Sequence, residues 1–162
     1  MNTVRAIIGA CLVLIANACL AGDITGSIVP PFPEGWKDQG GACIGSSLGH
    51  DKICEYSIGV VEEGSQLVLY IGKSAPRIDP KKARWLVTDQ MPYPKTPAGL
   101  RVVFADCERD GRPDETIIAI VKTTDTEWYN TVRSAFRANL TTGRFETTST
   151  KGVRCRNEGW GV

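Results

Sequence analysis

Histidine is nearly absent from this chain, with one residue, His50, in 162. Zinc sites built on two or three imidazoles are therefore excluded by count. Close cysteine pairs are missing too: the six cysteines, at 11, 19, 43, 54, 107 and 155, contain no Cys-x-x-Cys spacing, which removes the usual zinc and thiol-redox centres. A phosphate-binding loop is lacking as well. Gly72-Lys73-Ser74 ends like one, but its required first glycine falls at Leu67, inside an apolar run. Excess charge is equally scarce, with 19 basic against 18 acidic residues. No basic stripe marks a nucleic-acid partner, and the denser spots at Lys81-Lys82 with Arg84 and at Arg154 with Arg156 read as solvated surface. Internal repeats and heptads are not evident.

The chain opens with an apolar run. Arg5 precedes Ala6 to Ala16, and the small-residue stretch Asn17-Ala18-Cys19-Leu20-Ala21 follows. This is the pattern of a secretory signal peptide over residues 1–21, too short for a transmembrane helix at about 20 apolar residues, and no second run of that length follows. Cleavage after Ala21 removes Arg5 and leaves 18 basic against 18 acidic residues, a neutral mature chain. The alternative is a lipid anchor at Cys19, although Ala16 stands where a leucine normally precedes such a cysteine by three residues. The expected location is outside the cytosol, periplasmic or extracellular.

Export changes how the remaining cysteines read. Cys43, Cys54, Cys107 and Cys155 form an even set in an oxidising compartment, so two disulfides are expected. Of the three connectivities, Cys43–Cys54 and Cys107–Cys155 are favoured: the first closes a short Gly- and Ser-rich loop, and the second ties the last segment to the middle of the chain. On loop-entropy grounds they contribute at most about 3 and about 4 kcal/mol.

Texture along the chain divides the mature part in two. Residues 22–42 are rich in Gly and Pro, with Val29-Pro30-Pro31-Phe32-Pro33, and are expected to form an irregular, mobile leader pinned by Phe32 and Trp36. Residues 43–162 carry apolar, β-branched runs of strand length separated by turn formers. Ile53 to Val61 and Gln66 to Ile71 flank Glu62-Glu63-Gly64-Ser65 as a hairpin. Ala83 to Thr88, Leu100 to Ala105, Thr116 to Val121 and Arg144 to Thr148 read as further strands. Thr126 to Ala138 is ambiguous, because Trp128, Val132, Ala135 and Phe136 fall at helical spacing while Val132, Ser134, Phe136 and Ala138 alternate; the turn around Gly143 favours strand from about Tyr129. The expected fold class is mainly β, an antiparallel sandwich or barrel-like domain of six to eight strands, with at most one or two short helices, one near Asp79 to Arg84.

Three local patterns carry chemistry. Asp106-Cys107-Glu108-Arg109-Asp110-Gly111-Arg112-Pro113-Asp114 places carboxylates at alternate positions around a glycine. It resembles the D-x-D-x-D-G-x-x-D calcium loops of FG-GAP-type β repeats, which implies a Ca2+ ligand set of Asp106, Glu108, Asp110 and Asp114, since calcium takes six or more hard oxygens. Against it stand Arg109 and Arg112, the disulfide at Cys107, and a plain Asp110-Gly111 hairpin turn as the simpler reading. Gly45-Ser46-Ser47-Leu48-Gly49 matches the G-x-S-x-G nucleophile elbow of hydrolases, but no strong strand precedes it and His50 is three residues away instead of late in the chain. Trp160, set between Gly159 and Gly161, and Trp36 are candidate binding anchors, because Trp and Tyr dominate binding hot spots. Asn139-Leu140-Thr141 is a glycosylation sequon that matters only in a eukaryotic source.

The function expected from these residues is that of an exported, non-catalytic binding module, inhibitor- or immunity-like, whose partner is an envelope or secreted protein or a polysaccharide. A calcium-binding structural module is the alternative, with no other cofactor implied, and a small hydrolase at Ser47 is the second alternative.

Overall fold

Strands form where β-branched and aromatic residues outnumber helix formers between glycine-containing turns. The computed structural model describes residues 22–45 and 54–161, and these contain no helix. The strands are β1 (Ile28–Val29), β2 (Trp36–Ile44), β3 (Tyr56–Glu63), β4 (Gln66–Ser74), β5 (Trp85–Pro92), β6 (Leu100–Phe104), β7 (Cys107–Arg109), β8 (Arg112–Pro113), β9 (Ile117–Lys122), β10 (Trp128–Tyr129), β11 (Val132–Asn139), β12 (Arg144–Thr148) and β13 (Val153–Arg156). They pair antiparallel in three sheets. The first has the order β1-β5-β4-β3-β2, the middle one β12-β11-β9-β6, and the end one β10-β13-β7-β8.

Side-chain alternation explains the stacking. In β9, Ile118 and Ile120 face the first sheet while Ile117, Ala119 and Val121 face the end sheet, so both faces are apolar and the strand reads as one unbroken run. In β4, Leu69 and Ile71 point to the middle sheet, and Val68 and Tyr70 point outward under the leader. Three apolar layers result. One joins Ile58, Leu69 and Ile71 to Val102, Ile118 and Ala138; one joins Ile117 and Val121 to Val153 and Cys155; the outermost joins Val61, Val68 and Val87 to Ile24 and Val29. Complete burial of a side chain such as Ile118 contributes about 1.5–3 kcal/mol.

The first and middle sheets are stitched along one side. A bulge in β5, where the register shifts between Ile71 and Gly72, gives Thr88 and Asp89 adjacent positions beside the β11–β12 hairpin. Thr88 Oγ1 donates to the Gly143 carbonyl at 2.8 Å, and Asp89 accepts from the Phe145 amide at 2.8 Å. On the opposite side, β2 and β6 each end their sheet. The pair of sheets is thus an open half-barrel.

Both expected disulfides are present, Cys43–Cys54 and Cys107–Cys155, the latter between directly opposed residues of β13 and β7. Two local expectations differ from the structure. The irregular leader contains β1 and most of β2, and its Ile24, Val29, Phe32 and Trp36 form the outermost apolar layer. Buried apolar contact outweighs its proline content. Residues 79–84 form no helix, because Asp79 turns the chain, accepting from the Lys81 amide through its side chain and from the Lys82 amide through its carbonyl.

Candidate binding clefts

The four carboxylates of the calcium-like loop diverge. Asp110 and Gly111 both have positive φ (51° and 76°) and form the two-residue turn of the β7–β8 hairpin, the geometry that favours Asp-Gly. Glu108 is buried and paired with Arg154 at 2.5 Å. Asp114 accepts from Arg137 at 2.7 Å and from Thr116. Asp106 shares a hydrogen bond with Glu158 instead. Arg109, Arg112 and Arg137 line the same open basin as Asp110 and Asp114, an electropositive setting for any cation. Among the described residues no group of three or more His, Cys, Asp or Glu is placed to hold a metal ion.

The remaining candidates fall in different settings. Ser47 and His50 of the nucleophile-elbow match, and Cys19 of the lipid-anchor reading, lie outside the described residues. Trp36 is half-buried in the outermost layer, where it holds the leader. Trp160 is 50% exposed on the C-terminal turn, whose amide it closes onto the Asn157 carbonyl at 3.1 Å. The sequon residue Asn139 is engaged on both ends of its amide, donating to Glu146 and accepting from Thr141 and Thr142.

Two concavities flank β2. The first is the open seam of the half-barrel, a cleft of about 350 Å³ lined by Gly41 and Ala42 of β2, Arg101 to Phe104 of β6, Tyr93, Asp106, Arg156 and Glu158. Its floor is apolar, since Val102 belongs to the core between the sheets. Its rim is charged. Glu158 is held above the ordinary carboxyl range by its hydrogen bond to Asp106 and by that residue's charge, which Arg101 offsets only in part. Arg101 also donates to the Tyr129 hydroxyl at 3.2 Å, which fixes the guanidinium at the cleft edge. Burial raises the Tyr93 phenol, and Arg101 opposes it.

The second concavity is a groove of about 200 Å³ on the outward face of β2–β4, bounded by Asp38, Cys43 and Trp85. Glycines make its floor. The Tyr70 ring occupies the space of the missing side chain at Gly59, where an added Cβ would lie 2.2 Å from the ring. At Gly72 an added Cβ would lie 2.7 Å from the Trp85 Cβ and 3.0 Å from the edge of its indole. Between them lies Ser57, 6% exposed, whose hydroxyl has no hydrogen-bond partner. Tyr70 titrates at about 12, raised by burial and by the charge of Asp38, so its hydroxyl stays protonated at any ordinary pH. Sequence reasoning missed this groove and the seam. The available signal was a glycine inside each of two apolar strands, Gly59 and Gly72, which marks close approach by another group.

A scan against protein-family models and searches of curated proteins and of solved structures return no match to this chain.

Proposed function

We propose that this chain is an exported, non-catalytic binding module that receives an extended segment of another envelope or secreted protein in the seam between β2 and β6. The observation that carries this reading is the pairing of two terminal strands around one cleft: β2 and β6 each lack a ladder partner on one side among the described residues, and both line the same cavity. Unpaired strand edges present rows of amide and carbonyl groups, which an incoming strand satisfies with main-chain hydrogen bonds. The apolar floor at Val102 and Phe104 accepts alternate side chains, and Arg101 with Arg156 opposite Asp106 and Glu158 favours a partner carrying both signs of charge. Two disulfides and the absence, among the described residues, of any helix long and apolar enough to cross a membrane are compatible with that location.

Site-specific photocrosslinking tests the reading. A photoreactive residue at Ala42 or Arg101 should capture one and the same partner segment, and one at the exposed Lys151 should not. Capture of unrelated proteins from the two seam positions, or equal capture from all three positions, would overturn it.

A further inference from the structure

The groove on the outward face of β2–β4 stands apart from the seam. We propose that it is a binding site for a single sugar ring, a pyranose unit of a glycan, seated between Trp85, Ser57 and Asp38. Four observations carry this. The hydroxyl of Ser57 is buried in the groove without any protein partner, and such groups are rare unless a ligand or water completes them. Tyr70 and Trp85 lie against Gly59 and Gly72, so the strands have given up two side chains to seat two rings beside that hydroxyl. Asp38 is exposed at the mouth and spends one carboxylate oxygen on the Gly40 amide at 2.9 Å, so the second oxygen is left to accept from a ligand's hydroxyls. The volume, about 200 Å³, is below the roughly 300–1,000 Å³ of sites for drug-sized molecules and suits one ring.

Chemistry separates a sugar from other occupants. Ser57 and the protonated Tyr70 hydroxyl are each both donor and acceptor. A sugar hydroxyl also donates and accepts, so it can satisfy both, and the polarised C–H face of the ring matches the negative face of the Trp85 indole. An ammonium or guanidinium group brings donors alone and leaves the Ser57 hydroxyl hydrogen without an acceptor. A flat apolar ring leaves Ser57 as it is, unsatisfied.

Nuclear magnetic resonance on the exported protein tests the site, with methyl α-glucopyranoside, methyl α-mannopyranoside and N-acetylglucosamine as probes. At least one should receive saturation transfer on its ring hydrogens and shift the Trp85 indole N–H resonance. Ser57→Ala, which only exchanges the hydroxyl for hydrogen, should raise the melting temperature of the free protein while weakening sugar binding roughly 3- to 10-fold. Asp38→Asn should weaken binding while leaving the melting temperature in place. No response to any of the three sugars, a Trp85 shift with tetramethylammonium or indole alone, or a Ser57→Ala protein that binds sugar as before would overturn the proposal.

Discussion

Asp114 shows how a single residue's surroundings decide its role. Burial works to raise its carboxyl, but hydrogen bonds from Thr116 and Arg137 and the guanidinium's charge outweigh it, and the group is held below the ordinary carboxylate range. The stability this contributes is fully present above the ordinary value of about 3.9 and is lost as pH falls through the lower folded-state value. Arg137 is about half exposed, so the contribution is screened and amounts to under about 1 kcal/mol. Urea titrations of wild type and Arg137→Ala should therefore differ near neutral pH and converge as the pH drops below about 4; a gap that stays constant into acid would refute the linkage. Arg154→Ala is the more costly change. It leaves Glu108 buried without its cation and removes the guanidinium from the Trp128 ring face, 4.3 Å away, so a loss of about 1–3 kcal/mol is expected in the same assay. Alternate acidic residues around a glycine spell both a calcium loop and a hairpin with salt-bridged flanks. The identity of each partner, Arg154, Arg137 or Glu158, depends on distant strands and could not be read locally.

At the level of single elements, the sequence was legible where a strand kept its period and illegible where a bulge changed it. The hairpin of β3 and β4 and the apolar run of β9 follow directly from alternation and turn residues. In β11 the register shifts between Val132 and Ser134, which brings Val132 and Ala135 to the same face although they are three residues apart. That spacing imitates a helix, which is why residues 126–138 read two ways. The bulge in β5 acts on the architecture in turn, since it aims Asp89 at the Phe145 amide on the stitched side of the half-barrel, opposite the open seam. Asp89→Ala should leave that amide unpaired, cost about 1–2 kcal/mol and speed hydrogen exchange in β12 before β9; uniform acceleration across both strands would mean that the contact does not govern local opening. The Cys107–Cys155 crosslink spans 48 residues against 11 for Cys43–Cys54. Replacing the former pair by Ala should therefore cost up to about 4 kcal/mol in thermal or urea unfolding, and the latter up to about 3. The order of the two losses is the informative result.

Over the whole molecule, the protein is a stack of leader, first sheet, middle sheet and end sheet, in which only the middle sheet has another sheet on each face. This arrangement explains why residues 22–42 were read as loose. Prolines and glycines weaken any local signal for regular structure, and what orders the segment is apolar surface on β3, β4 and β5 that needs a cover. That surface is visible only once the sheet exists. Val61, Val68 and Val87 would lie bare without Ile24, Val29, Phe32 and Trp36. Phe32 additionally meets Tyr70 edge-on at 6.3 Å, so the leader also fixes one wall of the sugar groove. A Phe32→Ala, Trp36→Ala double variant should then lose several kcal/mol, roughly 3–5 for each fully buried ring and less here because both are half-exposed. The same variant should bind a hydrophobic dye such as ANS in buffer and give up sugar binding while the seam still crosslinks its partner through Arg101. A leader that was merely tethered would give a different result: unfolding, dye binding and sugar affinity would all match wild type, and the outermost layer would have to be assigned no part in holding the first sheet together.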